Sequence, residues 1–382
     1  MEVSLEQQDL EQGKGRIDYA FFLCVLILVF FGFVMDFSAS YVSAKQDLGD
    51  SLFFVKKHFI FMVAGIIFMM LMGNFDYKKL QKWVFIIFVA TFLLLILTLV
   101  PGLGIKVNGA RRWLGVGGLR FQTSEFAKYS IILFLANYYY KYHEHRDSFK
   151  KYLLVPFAFV VPMLGLIVIE PNLSTTMLLC LIAVMISFAA GAKLKHFSLV
   201  GIIAIVGVVA LVAYKQYVHP EGNYWMDRIN TFIDPWKDPK GHGYQIIQSY
   251  MAFYSGGITG VGLGQGMQKL MYLPEAHNDF IFATIAEELG FIGVLGTLAV
   301  FFFLIYRGIR IALKAKDLFA RLLVFGIMFM ISIQVLFNIG VVLGLLPVTG
   351  LALPFVSYGG TALISFMGFM GIVLNVSRSV EK

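Results

Sequence analysis

The sequence predicts an all-α polytopic membrane protein, ten transmembrane helices in one domain with both termini cytoplasmic. Three observations predict it. Hydrophobic residues fill 59% of the 382 positions and charged residues only 14%, too few polar side chains to cover a soluble core. Apolar runs long enough to cross ~30 Å of hydrocarbon recur from one end of the chain to the other. Finally, 18 of the 31 Lys and Arg residues fall in the segments that lie inside when the N-terminus is cytoplasmic, as the positive-inside rule requires. The net charge of +8 is then a topology signature and needs no nucleic acid to explain it. Cys24 and Cys180 lie within apolar runs and read as packing residues.

Residues 1–16 form a polar cytoplasmic tail. The first span, 17–38, is too long for a signal-peptide core and no small-residue cleavage site follows it, so it reads as an anchor. The other nine spans are 57–74, 83–101, 124–141, 152–170, 174–191, 196–214, 279–306, 321–345 and 355–377. Together they make one membrane domain, 17–377, followed by a short cytoplasmic tail, 378–382. Two extracellular loops, 102–123 and 215–278, have the length of functional loops. The second carries Trp236, Tyr244 and Phe253, and its Ile246–Tyr254 stretch predicts an amphipathic surface helix ended by Gly256-Gly257. Gly260–Gly264 has glycines at phosphate-loop spacing, but it follows no strand and reads as a flexible turn. Pro347, Gly350, Pro354 and Gly359-Gly360 break the backbone near the outer surface, which is tolerated only where protein or water satisfies the freed groups.

The densest ionisable cluster is Glu275, His277 and Asp279, where the long loop re-enters a span. Asp279 has two readings: a cap for the helix that follows, or a general base tuned by Glu275 and His277. Arg111 and Arg112, before Trp113, lie outside against the positive-inside trend. They read either as solvated surface charges with Trp113 anchored in the interface, or as an anion clamp, because guanidinium matches phosphate oxygens two at a time. Glu125 and Lys128 share a helix face at i, i+3. Glu170, Glu287 and Glu288 add intramembrane acids that point to a polar cavity. Gln334 and Asn338, four residues apart, read as interhelical hydrogen-bonding groups.

Several stretches resemble one family. They are 108–114 (NGARRWL), 121–128 (FQTSEFAK), 243–245 (GYQ), 272–280 (YLPEAHNDF), 287–290 (EELG), 344–350 (GLLPVTG) and 353–360 (LPFVSYGG). Together they resemble the SEDS (shape, elongation, division, sporulation) proteins, and Ala276 in particular the FtsW/SpoVE branch over the RodA branch. Thr123, Asn172 and Asn278 depart from the family's usual residues, and none of the departures touches Asp279. The resemblance implies a peptidoglycan glycosyltransferase that polymerises lipid II, with Asp279 as its catalytic acid–base group. It places Arg111, Arg112, Lys128, Glu125 and Trp113 at the substrate pyrophosphate and Glu275, His277, Glu288 and Ser357 in support. A divalent cation, Mg or Mn, stays open, with Asp279 and Glu275 as candidate ligands. The implied partners are lipid II, the nascent glycan strand, a class B penicillin-binding protein that crosslinks, and other divisome proteins, in septal or sporulation wall synthesis. A lipid II flippase is the competing function, and a RodA-type elongation polymerase the competing branch.

Overall fold

The computed structural model describes residues 15–107, 110–116, 119–193, 224–241, 243–270, 273 and 276–380. Helix α1 (Tyr19–Leu48) is started by Asp18, whose carboxylate accepts from the Phe21 amide at 3.0 Å, and ended by Gly49 in the left-handed region. Next come α2 (Phe53–Asn74) and α3 (Tyr77–Leu99), then three strands, and α4 (Thr123–Lys141). A wide turn at Lys150–Leu154 runs into α5 (Val155–Ile169), and α6 (Leu173–Ala189) is capped by Asn172. After α7 (Tyr224–Ile233) and α8 (Tyr244–Gly256), the chain closes with α9 (Ile281–Lys314), α10 (Leu318–Val342) and α11 (Gly360–Arg378).

The described helices coincide with nine of the ten predicted spans; the segment 196–214 lies outside the described residues. Seven segments are long and apolar enough to cross a membrane: Tyr19–Gln46, Phe53–Asn74, Tyr77–Leu99, Lys150–Ile169, Ile281–Lys314, Leu318–Val342 and Gly360–Arg378. The protein is a multi-pass membrane protein of mostly helical architecture. Two predicted spans do not reach that standard. The α6 helix has only 17 residues, and α4 opens with Thr123, Ser124, Glu125 and Lys128, all buried within the protein rather than offered to lipid.

The all-α expectation needs one correction. Residues 102–123 are not an irregular loop, because β1 (Gly104–Val107), β2 (Ala110–Val116) and β3 (Leu119–Gln122) form an antiparallel sheet in the order β1-β2-β3. Trp113 pairs with Ile105 on one side and Gln122 on the other. The predicted surface helix is present as α8, and it is not merely superficial. Ile246, Ile247 and Ala252 are buried, and the Ser249 hydroxyl donates to the Val342 carbonyl at 2.7 Å.

At the end of the bundle opposite the sheet, Arg307 binds the Asp18 carboxylate at 2.6 Å, and the Asp18 amide donates to Ser377 Oγ. The Tyr77 hydroxyl donates to Asp317 and its amide to Asn375. These contacts gather at one end the segments that the Lys and Arg count assigns to one side.

Candidate active site

Asp279 sits in a turn, 276–280, immediately before α9. Three successive carbonyls of that turn each accept a hydrogen bond. The Tyr358 amide donates to His277 O at 3.0 Å, Ser357 Oγ to Asn278 O at 2.7 Å, and Asn338 Nδ2 to Asp279 O at 2.8 Å. These bonds fix the main chain that carries the Asp279 side chain. The N-cap position of α9 is Phe280, without a side-chain bond, and Asp279 stands one residue before it.

The donors come from α10 and from the segment 343–359, where Pro347, Gly350 and Pro354 forbid a continuous helix. Asn338 Nδ2 also donates to Leu351 O at 2.9 Å, and Gln334 Nε2 donates to Ala352 O at 3.1 Å. These two amides satisfy the carbonyls that the broken backbone frees, as a non-helical stretch at membrane depth demands. Gly350 is left-handed at φ +71°, and a Cβ there would stand 3.4 Å from Asp279 Oδ2, so the turn lies directly against the carboxylate. Phe355 is also left-handed, at φ +65°, a costly state for a bulky residue that its full burial maintains.

One turn along α10, Gln334 Oε1 receives Lys128 Nζ at 3.4 Å. Lys128 is fully buried, 2.8 Å from Glu125 Oε2, with its ammonium 5.1 Å from the centre of the Phe366 ring. A cation in that position is held by a carboxylate and an aromatic face. The α10 edge therefore carries both the Lys128–Glu125 pair and the backbone of Asp279.

Arg111 and Arg112 do not make a single fork. Adjacent strand residues point to opposite faces, and Arg112 is engaged by Nε to Glu170 O at 3.1 Å and Nη2 to Pro171 O at 2.5 Å. Its role in the structure is to tie the sheet to the α5–α6 junction. Arg111 lies half-buried in register with Lys106. Below Arg112, the Glu170 carboxyl is fully buried and accepts from Thr123 Oγ1 at 3.4 Å.

Glu287 and Glu288 hold a loop. Glu287 Oε1 accepts from the amides of Met267 (2.7 Å) and Gln268 (3.2 Å). Glu288 binds Lys269 Nζ at 2.5 Å, Ser38 Oγ at 2.8 Å and the Gly264 amide at 2.9 Å. They lie just before a break in α9 at Gly290, φ +65°. Across it the Val261 and Gly262 amides donate to Glu287 O and Glu288 O, and the Phe291 and Ile292 amides to Gly257 O and Ile258 O. The Gly260–Gly264 stretch, expected as a flexible turn, is the splint of a broken helix. Glu288 thus reaches α1 and the loop rather than the Asp279 turn.

Glu275 lies outside the described residues. Among the described residues, no three His, Cys, Asp or Glu side chains gather as a metal site. His277 packs against Phe54 and Tyr358 at 4.9 and 5.8 Å between ring centres. Sequence reasoning missed Arg228, which donates to the Val348 carbonyl, and Lys269 and Ser38 at the helix break. It also underrated Gln334 and Asn338, whose four-residue spacing and amide chemistry were the available signal.

The fold and site define a polytopic membrane protein whose polar groups converge on discontinuous backbone at one end of the bundle. A family model described as Cell cycle protein, covering FtsW, RodA and SpoVE, matches residues 18–382, and the chain belongs to that family, the SEDS proteins. Stage V sporulation protein E of Bacillus subtilis is 42% identical over 365 residues, covering 96% of this chain and 98% of the relative. A probable peptidoglycan glycosyltransferase FtsW of a Geobacter species is 39% identical over 367 residues, covering 95% and 97%. Among solved structures, one from a peptidoglycan synthase complex matches with a TM-score of 0.76 at 32% identity, covering 95% of this chain and 98% of that one. The rod shape determining protein RodA of Thermus thermophilus matches with a TM-score of 0.69 at 27% identity, covering 96% and 98%.

Proposed function

We propose that the protein is a peptidoglycan glycosyltransferase that polymerises lipid II at the outer face of the cytoplasmic membrane, in septal or sporulation wall synthesis. The observation that carries the reading is the triple anchoring of 277–279, which presents one carboxylate beside a turn that has no side chain at Gly350. Relatives named as peptidoglycan glycosyltransferases support the reaction class.

In this reading Asp279 accepts the proton of the acceptor sugar's 4-hydroxyl as that oxygen bonds to the donor's anomeric carbon. The anomeric carbon–oxygen bond to the lipid pyrophosphate breaks, and the pyrophosphate leaves as an anion. Lys128, held by Glu125, and Arg111 supply positive charge towards that leaving group, a stabilisation worth most in a water-poor site. Arg112 and Trp113 support it through the sheet. A cavity of about 320 Å³, lined by Val34, Phe37, Tyr41, Val42 and Leu263 among others, is apolar enough for part of a polyprenyl tail. The likeness to a synthase complex that coordinates polymerization with crosslinking supports a transpeptidase partner of the class B penicillin-binding type.

Purified protein given lipid II in proteoliposomes is expected to yield glycan polymer, and folded Asp279→Asn protein none. Wild-type polymer yield from Asp279→Asn would sink the assignment, and lipid movement without polymer would favour a flippase.

A further inference from the structure

Asp36 stands in an apolar helix, and the chemistry above gives it no task. It is fully buried on α1, and its Oδ2 lies 2.8 Å from Nδ1 of His58, which is 1% exposed on α2. An ionisable pair at membrane depth is costly and commonly functional. Among the described residues, the second atoms of the pair, Asp36 Oδ1 and His58 Nε2, have no hydrogen-bond partner, so the described contacts make the pair no strut in a wider network. What His58 does is pack. Its ring centre is 5.8 Å from that of Phe33 and 5.9 Å from that of Tyr358. Tyr358 in turn packs on Phe54 and His277, and its amide donates to His277 O in the turn that carries Asp279. The hydrogen bond that His58 Nδ1–H donates to Asp36 sets the plane of the imidazole, and the imidazole is one wall of the Tyr358 site.

We propose that Asp36 and His58 are positioning residues for the reaction, holding the Asp279 turn in place through Tyr358. The proposal rests on the glycosyltransferase reading of that turn. Neighbouring charges have partners of their own. On α2, Lys56 binds Asp50 at the surface and Lys57 lies over Phe53; from α9, Glu288 meets α1 at Ser38 but is paired with Lys269. On the 343–359 segment the titratable group facing the pair is Tyr358 itself.

The test compares lipid II polymerisation by purified wild type, Asp36→Leu, His58→Phe, the double variant and Asp36→Asn. Per folded molecule, kcat in Asp36→Leu and His58→Phe is expected to fall about tenfold or more with KM unchanged, as for a displaced catalytic group. The double variant should be no worse than either single change, because both remove one shared constraint. Asp36→Asn keeps an acceptor for the Nδ1–H and is expected to stay within about threefold of wild type. Wild-type kcat in folded Asp36→Leu, or a loss that merely follows the folded fraction, overturns the proposal. Hydrogen exchange tests the same claim without substrate. Asp36→Leu should speed exchange in 353–359 while leaving α10 unchanged, and unaltered exchange there overturns it. Should wild type itself make no polymer, the catalytic reading fails, and the exchange measurement decides the positioning claim alone.

Discussion

Asn338 joins the two halves of the site. Its single amide nitrogen serves both Asp279 O and Leu351 O. Replacing it with leucine leaves two carbonyls without their donor, at about 1–3 kcal/mol each. Asn338→Leu is expected to lower the thermal midpoint and to cut polymerisation further than the stability loss explains; an unchanged midpoint would show that the bonds carry no weight.

At the scale of elements, the broken α9 depends on its splint. Gly290 is left-handed, and a Cβ there would fall 2.3 Å from the Gly260 amide nitrogen. Gly290→Ala is expected to loosen 257–270 and expose it to limited proteolysis; a protease-resistant loop would contradict the arrangement. The Lys269–Glu288 pair should behave as a buried ion pair does. Lys269→Met leaves Glu288 buried without its cation and is expected to destabilise by about 3–5 kcal/mol, whereas Lys269→Met with Glu288→Leu should be milder. Denaturation of the singles and the double in detergent measures the difference. The glycine spacing of 260–264 was visible in the sequence, but its partner was not, because the splint bonds to carbonyls that only a break in a distant helix frees.

For the whole molecule, the sheet and the Asp18–Arg307 contact lie at opposite ends of the bundle. With native cysteines removed, Arg120→Cys is expected to react with an impermeant maleimide from outside intact cells. Lys79→Cys should react only after permeabilisation, both positions being exposed. The reverse pattern would invert the orientation drawn from the Lys and Arg count.

Composition and apolar period alone determined that this chain is a helical membrane protein, because hydrocarbon admits few other folds. Nine of the ten predicted segments coincide with helices for that reason. Local chemistry also marked the 272–280 stretch and the backbone breaks after α10. The tertiary structure decided what those residues do to one another. It turned Arg112 towards the α5–α6 junction, paired β1, β2 and β3 into a sheet, and assigned Glu287 and Glu288 to a splint. It also brought Asp36 and His58, 22 residues apart, within 2.8 Å. Those outcomes rest on pairings between groups distant in the chain, and a hydrogen bond leaves no mark on the spacing of either partner alone.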